Sequence, residues 1–541
     1  MLSRKKIAIV GGGMSGLAAA FELSEDESLE ITVIEGSESC GGKMKGYFNP
    51  HTNHFEEHSI RALSSTYFAL FDIFKRAGIL DMLLPVENYH FYESKSGKKV
   101  AIDRTESIKL ETVKALIDTF DLSVSDMLSL AKKIAHHVNA SDEEREQQKY
   151  QKAGSVMGID DFSPRTREFI INWFGILTGA RMESKAVDIM DSFVLMFLPM
   201  INSPNLPQGK TSKSYCFDRP TSEIVEALVN RLQKRGVTFT YQSRLQNYQQ
   251  NTTTGAIRLS TTNQALDDIE FDACIFAVPH EVMWKLGMLE GVKKPFNDEW
   301  SFGTQFPMTS VPHALSHFTG KSYNLCFDAP WNIVFQIQHQ GSFWRNVRFP
   351  TEYAYNLSAT CSSPFNEGAL YKKRFMQCTP LEAKHEILFQ LGVTDETLRN
   401  DLVKNAIIDP IYLDYTDQWQ HYAELETAEL GIIQANQKRW VDLSQIYVRS
   451  AEDKEIGVCS PISNIFLAGE VVSVPGRWKI PTMEQASMSG KQAAQQIFNY
   501  FDIATQVNMD YATLENTKGY TLLEGLLSGL SALAKLMPDR K

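Results

Sequence analysis

The run from Lys5 to Gly36, "KKIAIVGGGMSGLAAAFELSEDESLEITVIEG", constrains the fold more than any other stretch of the chain. Ile7 to Val10 is a short apolar run of the kind that becomes a buried parallel strand, and it stops at a cluster of glycines. Gly11, Gly13 and Gly16 fall at G-x-G-x-x-G spacing. The first allows a sharp turn, the second lets backbone approach a pyrophosphate, and the third lets the following helix pack closely on the sheet. Leu17 to Leu23 supplies that helix, whose free N–H groups would face the phosphates. Ile31 to Ile34 reads as a second strand, and Glu35 stands at its end, 19 residues after Gly16. An acid there accepts hydrogen bonds from the ribose hydroxyls of an adenosine and would repel a 2′-phosphate. These features predict an α/β fold with a dinucleotide site. The basic start, apolar run and small residues also resemble a signal peptide, but the glycine pattern accounts for the same residues, so no cleaved segment and no export are expected.

Composition bounds the rest. A chain of 541 residues, 43% hydrophobic, can bury a large core spread over two or three intertwined domains. A net charge of −11 disfavours nucleic acid as a partner. The 7 cysteines are scattered with no C-x-x-C pair, which fits reduced thiols in a cytoplasmic protein and gives no metal site. His136 and His137 are adjacent, and neighbours on a helix point apart. The longest strongly apolar run, Ser192 to Ile201, is too short to span a bilayer. No G-x-S-x-G elbow or P-loop occurs.

A second glycine–acid block stands near the other end, "NIFLAGEVVSVPGRWKIPTMEQASMSGKQAAQQIF", where an apolar strand ends at Gly469 and Glu470 and a helix starts after Pro481. With "VIEGSESCGGKMKG" and "FDACIFAVP", it resembles the flavin-dependent amine oxidase and phytoene desaturase superfamily. The resemblance implies a Rossmann-like FAD-binding domain interleaved with a substrate domain of mixed β-sheet and capping helices. It also implies non-covalent FAD, because no cysteine lies between Val471 and Met483 to link a flavin. It places Glu470 on the ribityl chain and the backbone around Thr482 and Met483 at the flavin pyrimidine ring, where a helix dipole would stabilise a reduced anion. In "CGGKMKG" it places Gly42 and Lys43 beside the pyrophosphate, with lysine where arginine is usual. In "RGVTFTYQSRLQNY", read as one strand, it brings the end near Leu245 against the adenine.

Six segments follow: residues 1–90, 206–285 and 426–505 for FAD, 91–205 as helical cap, 286–425 as substrate sheet and helices, and 506–541 as an amphipathic tail. "EEHSIRALSS" resembles a segment that the superfamily holds near the isoalloxazine, so His58 and Arg61 are the candidate catalytic groups. Glu56 and Glu57 read as one solvated and one structural carboxylate. "FDAPWNIVFQIQHQ" resembles a desaturase strand, and its alternation puts Ile333, Phe335 and Ile337 on one face, as in a cavity wall or any half-buried sheet. The Met- and Phe-rich helices between about 105 and 205 suit packed core and, as a set, an apolar tunnel.

The expected function is an FAD oxidoreductase that accepts hydride at flavin N5 from a long apolar polyene or isoprenoid. The alternatives are a polyene cyclase of tetramate macrolactam biosynthesis, and an amine or amino-acid oxidase with Arg61 or Arg477 as carboxylate clamp. NADPH or a quinone stays open as redox partner. The leucines of the tail, Leu522, Leu523, Leu526, Leu527, Leu530, Leu533 and Leu536, form one broad face. They suit docking on the body, self-association or a peripheral membrane contact.

Overall fold

The computed structural model describes residues 4–529 except 45, 50–53, 58–59, 107, 180, 198–211, 267, 290–300, 321, 340–351, 409–447, 514, 519, 522–523 and 526. Five strands form an all-parallel sheet in the order Thr238–Thr240, Leu29–Ile34, Lys5–Val10, Ala273–Phe276, Ile465–Leu467. Ile7 to Val10 and Ala273 to Phe276 are buried throughout, which explains their unbroken apolar runs. Three stretches far apart in sequence therefore build one parallel sheet. The helix Met14–Leu23 follows the first strand, and the helix Met483–Tyr500 packs against it. The crossing is close because Gly490 lacks a side chain: a Cβ there would sit 2.2 Å from Ser15 O.

The stretch expected as one strand near Leu245 is two. Thr238–Thr240 closes the edge of the parallel sheet, and Leu245–Gln250 starts a separate antiparallel sheet with Ile257–Thr261 and Glu270–Phe271. Between them Gln242 takes a left-handed conformation, φ 52. The break is held by N–H bonds from Gln242 to Ser37 O and from Ser243 to Glu35 O, each 2.9 Å.

A seven-stranded sheet runs in the order Ile407–Ile408, Phe302–Met308, Tyr355–Cys361, Ile333–His339, Ser322–Cys326, Asn88–Glu93, Lys98–Asp103. All pairs are antiparallel except Ser322–Cys326 with Asn88–Glu93. The boundary expected at residue 90 thus cuts a strand, because the hairpin Asn88–Asp103 belongs to this sheet and not to the helical cap. The two faces differ. Ile333, Phe335 and Ile337 do share a face, but it packs with Phe302, Phe306 and Leu357 against Ala383, Ile387 and Leu388 of the helix Pro380–Gln390. That face is core, and the opposite, inner one turns towards Glu57 and Ile60, with Gln305 Nε2 donating to Glu57 O at 3.3 Å.

Six helices fill residues 110–197 as expected: Leu110–Phe120, Val124–Val138, Asp142–Gln148, Ala153–Met157, Pro164–Thr178 and Ala186–Phe197. A buried polar network ties them to the loop before the last helix. Asp191 meets His137 Nε2 and accepts from Arg477, each at 2.8 Å, and also from Arg145. Burial alone would raise the Asp191 carboxyl, but His137 and the two arginines hold it far below the usual range. Arg477 is therefore a structural cation rather than a free carboxylate clamp. His136 is exposed while His137 is buried, so the adjacent histidines do point apart.

Among the described tail residues, Leu527 packs on the main core and Tyr520 bonds Asn139. Leu522, Leu523, Leu526, Leu530, Leu533 and Leu536 lie outside the described residues. No described helix is long and apolar enough to cross a membrane.

Candidate flavin site

The glycine turn has the geometry that its spacing requires. Gly11 takes φ +108, and a Cβ on it would meet Ala277 O at 2.3 Å. A Cβ on Gly16 would meet Gly11 O at 1.9 Å, so both positions admit only glycine. Gly13 differs, because a Cβ there would find only Gly42 Cα at 3.9 Å. The space over Gly13 is open, at the N-terminus of the helix Met14–Leu23. Gly42 closes the other side of this cradle with φ +53. Glu35, at the end of its strand, accepts from Gly12 N–H at 2.8 Å and from Ser37 N–H at 2.8 Å. Its carboxylate is thereby held at the lip of the turn. An open glycine cradle, a helix N-terminus and a fixed acid match a pyrophosphate and an adenosine ribose.

Lys43 and Glu470, drawn from opposite ends of the chain, form an ion pair. His280 Nδ1 lies 3.1 Å from the same Glu470 oxygen. Burial would raise the Glu470 carboxyl, yet the Lys43 ammonium and the His280 hydrogen bond outweigh it and hold it at about 2. Glu470 is thus a permanent anion with its geometry fixed from two sides. His280 was not singled out in the sequence, although its place just after "FDACIFAVP" puts it at the C-terminal end of a nucleotide-sheet strand. The last helix starts beside Glu470: Thr482 Oγ1 caps it by accepting from Gln485 N–H at 3.1 Å, and Gln485 Nε2 donates to Gly469 O at 2.9 Å. Met483 is its first residue. Glu484 turns away and accepts from Ala69 N–H and Leu70 N–H at 3.0 and 2.9 Å, capping the helix Phe68–Ala77.

Arg61 donates to Lys43 O, which places it beside the Lys43–Glu470 pair. It also reaches the seven-stranded sheet, since Tyr323 O–H donates to Arg61 O. Ile60 N–H donates to Thr360 Oγ1 at 2.9 Å, so Ile60 lies on the inner sheet face. His58 lies outside the described residues. Leu245 is half-buried, beyond the turn that rests on Glu35 O.

The inner sheet face carries a feature that the apolar alternation hid. Gln305, Ser358 and Gln336 are register partners, as are Asn356 and Gln338. Asn356 Nδ2 donates to Gln305 Oε1 at 2.7 Å and to Gln338 Oε1 at 2.9 Å, and Gln305 Nε2 donates to Ser358 Oγ at 3.0 Å. Polar residues at period two were the available signal, Gln336 and Gln338 in one strand and Asn356 and Ser358 in its partner.

Three comparisons bear on this arrangement. The family described as flavin containing amine oxidoreductase matches residues 14–300, more than half of the chain. The chain belongs to that family. It is 29% identical over 128 residues to a probable zeta-carotene desaturase of Synechococcus elongatus, covering 23% of this chain and 26% of the relative. It is 49% identical over 45 residues to an L-amino acid oxidase of Bothrops pictus, covering 8% and 9%. The chain spans about a quarter or less of the length of these relatives. Solved structures match over nearly the whole fold: putrescine oxidase with TM-score 0.58, 13% identity and coverage of 92% and 99%, and cyclohexylamine oxidase from Brevibacterium oxydans with 0.56, 12%, and 92% and 100%. At that identity the likeness is one of fold. Among the described residues no group of three or more His, Cys, Asp or Glu could hold a metal.

One pH effect of this flavoprotein fold follows from Glu57. Its buried carboxyl accepts from Thr221 N–H at 2.9 Å and from Thr221 O–H, yet burial outweighs these bonds and raises it to about 7. A raised carboxyl contributes stability that is fully present below its unfolded value and is lost as pH rises through about 7. Glu57→Gln is therefore expected to match the parent at pH 5 and to exceed it at pH 8.5 by on the order of 2 kcal/mol. Urea unfolding at the two pH values checks this, and equal stability differences at both would refute it.

Proposed function

We propose that the chain is an FAD-dependent oxidoreductase acting on a long apolar isoprenoid or polyene. The observation that carries the cofactor half is the convergence of Lys43, His280 and Glu470 beside the open glycine cradle. Gly11, Gly13 and Gly42 would hold the pyrophosphate, Glu35 the adenosine ribose and Glu470 the ribityl chain, with the N-terminus of the helix Met483–Tyr500 at the pyrimidine edge. Bound there, FAD supplies two-electron acceptance from a substrate carbon. Lys43 and His280 fix the Glu470 carboxylate, and Arg61 links this edge to the substrate sheet.

The substrate half draws on the likeness to zeta-carotene desaturases and on the wall beside the inner sheet face. Phe91, Phe169, Trp173, Phe193 and Phe197 pack in a continuous series of stacked, tilted and edge-on contacts, with ring centroids 4.9 to 5.9 Å apart. Such a surface suits an extended apolar chain. The amide row of Gln305, Gln338 and Asn356 favours a second reading, an oxidase of a polar amine, because amides can accept from an ammonium. A polyene cyclase of tetramate macrolactams is a third product class for the same apolar wall.

Purified protein is expected to be yellow and to release FAD on heating, and Glu35→Ala is expected to weaken FAD by about 10-fold or more through lost charge-assisted hydrogen bonds. Anaerobic mixing then separates the substrate classes. Bleaching of the flavin by carotenoid precursors supports the polyene reading, and rapid bleaching by amines alone replaces it with the oxidase.

A further inference from the structure

Gly469, the residue before Glu470, is held at both of its backbone polar groups by side chains of one helix. Its N–H donates to Ser489 Oγ and its carbonyl oxygen accepts from Gln485 Nε2, each at 2.9 Å. Gln485 and Ser489 stand one turn apart on the helix Met483–Tyr500, and both are buried. The second N–H of the Gln485 amide donates to Val472 O, also at 2.9 Å. Val472 N–H in turn donates to Gly469 O at 3.1 Å, so Gly469 to Val472 is a closed turn with Glu470 and Val471 at its centre. A φ of 120 at Gly469 takes the chain from the strand Ile465–Leu467 into this turn. A single carboxamide therefore bridges both ends of the turn that carries Glu470.

The same helix face meets the other parts of the cofactor site. Ser489 Oγ donates to Ala486 O at 2.8 Å and lies 3.4 Å from Ser15 Oγ, in the first turn of the helix that opens on the glycine cradle. Gln485 N–H is the group that Thr482 caps at the helix start. Lys43 and His280 orient the Glu470 carboxylate, whereas Gln485 and Ser489 hold the backbone that carries it. Helix formation does not ask for a glutamine here, because methionine has almost the same propensity and burying an amide is costly unless its N–H groups are used. Both are used outside the helix, on the turn.

We propose that Gln485 and Ser489 are positioning residues for the flavin. They fix Glu470 relative to the N-terminus of the last helix, and so fix the ribityl anchor relative to the helix end at the pyrimidine edge. This rests on the FAD placement proposed above, in which those two groups hold the ribityl chain and the ring. Gln485 and Ser489 act through Glu470 and touch no reacting atom. Replacing the Gln485 amide by an apolar side chain of similar length leaves Val472 O without this donor and Gly469 O with one donor fewer, and the turn is then free to shift while Lys43 still pairs with the carboxylate.

The test is a double-mutant cycle in FAD affinity, with the full chain stripped of FAD and titrated with it, read by quenching of flavin fluorescence. Gln485→Met is expected to weaken FAD by about 10-fold or more, and Ser489→Ala, which removes one acceptor, by about threefold. Gln485→Glu, of the same length but turning carboxylate oxygens on two carbonyls, should weaken FAD at least as much as Gln485→Met. In a Glu470→Ala background, Gln485→Met should change the affinity by no more than about twofold, because no ribityl anchor is left to displace. A merely structural glutamine would give the same factor in both backgrounds. Equal factors, or parental affinity in Gln485→Met, would overturn the assignment, and where Gln485→Met does not fold, Ser489→Ala carries the same comparison. A wild-type chain that takes up no FAD refutes the oxidoreductase reading, and parental affinity in Glu470→Ala refutes the ribityl placement, either one taking this inference with it. A yellow protein in which the Gln485 and Glu470 effects simply multiply refutes this inference alone.

Discussion

Gly490→Ala is expected to cost about 3 kcal/mol of stability and to strip most of the flavin, although the substitution adds a single methyl group to a helix. The added Cβ would lie 2.2 Å from Ser15 O and 2.9 Å from Ala18 Cβ. The first obstacle is backbone, so no rotamer change relieves it, and the last helix must move away from the first. Ser15 belongs to the first turn of the helix that opens on the glycine cradle, so the displacement passes directly to the pyrophosphate site. Helix propensity argues the other way, since alanine is better than glycine in a helix interior by about 1 kcal/mol. Packing outweighs it here. Gly457→Ala is the control, because nothing lies within 4 Å of its built Cβ, and it should stay within about 0.5 kcal/mol of the parent. Urea unfolding and the FAD-to-protein absorbance ratio read both variants. A Gly490→Ala protein of parental stability and full flavin content would refute the close crossing.

Lys43→Met is expected to cost about 3–5 kcal/mol, because it leaves the Glu470 carboxylate buried without its cation. Glu470→Gln should cost less, since Lys43 is partly exposed and can turn towards water. The double variant should fall well short of the sum of the two, giving a coupling of about 2 kcal/mol or more in a double-mutant cycle. The pH signature separates this pair from a surface contact. Glu470 is held at about 2, so its stabilising effect is present above its unfolded value and is lost as pH falls through about 2. Wild type should therefore lose stability in acid over that window, and Lys43→Met should show a flatter profile. Additive single effects would mean that the pair is not coupled in solution.

Much of the nucleotide half could be read directly. The strands around Ile7 and Ile31, the helix after the glycines, the strand "FDACIFAVP" and the helix after Pro481 all stand where local pattern put them. Each is specified by interactions close in sequence: an apolar run, a φ that only glycine tolerates, or a cap such as Thr482. The misread stretch around Leu245 failed for a local reason too, because a non-glycine residue, Gln242, adopts a positive φ that composition does not announce. The boundary at residue 90 failed for a non-local one, since only pairing with Ser322–Cys326 tells the hairpin Asn88–Asp103 which sheet it joins.

By itself, then, the sequence determined the class of cofactor. Glycine spacing, a terminal acid and a second glycine–acid block are chemical requirements of a dinucleotide, met within short windows. The tertiary structure decided how those blocks meet and what faces the cofactor. It drew Lys43, His280 and Glu470 together across most of the chain, turned Ile333, Phe335 and Ile337 into core and Gln336 and Gln338 inward, and bound Arg477 to Asp191. Period-two alternation says that a strand has two different faces, but which face meets the ligand depends on what packs behind it, and for this sheet that is the helix Pro380–Gln390.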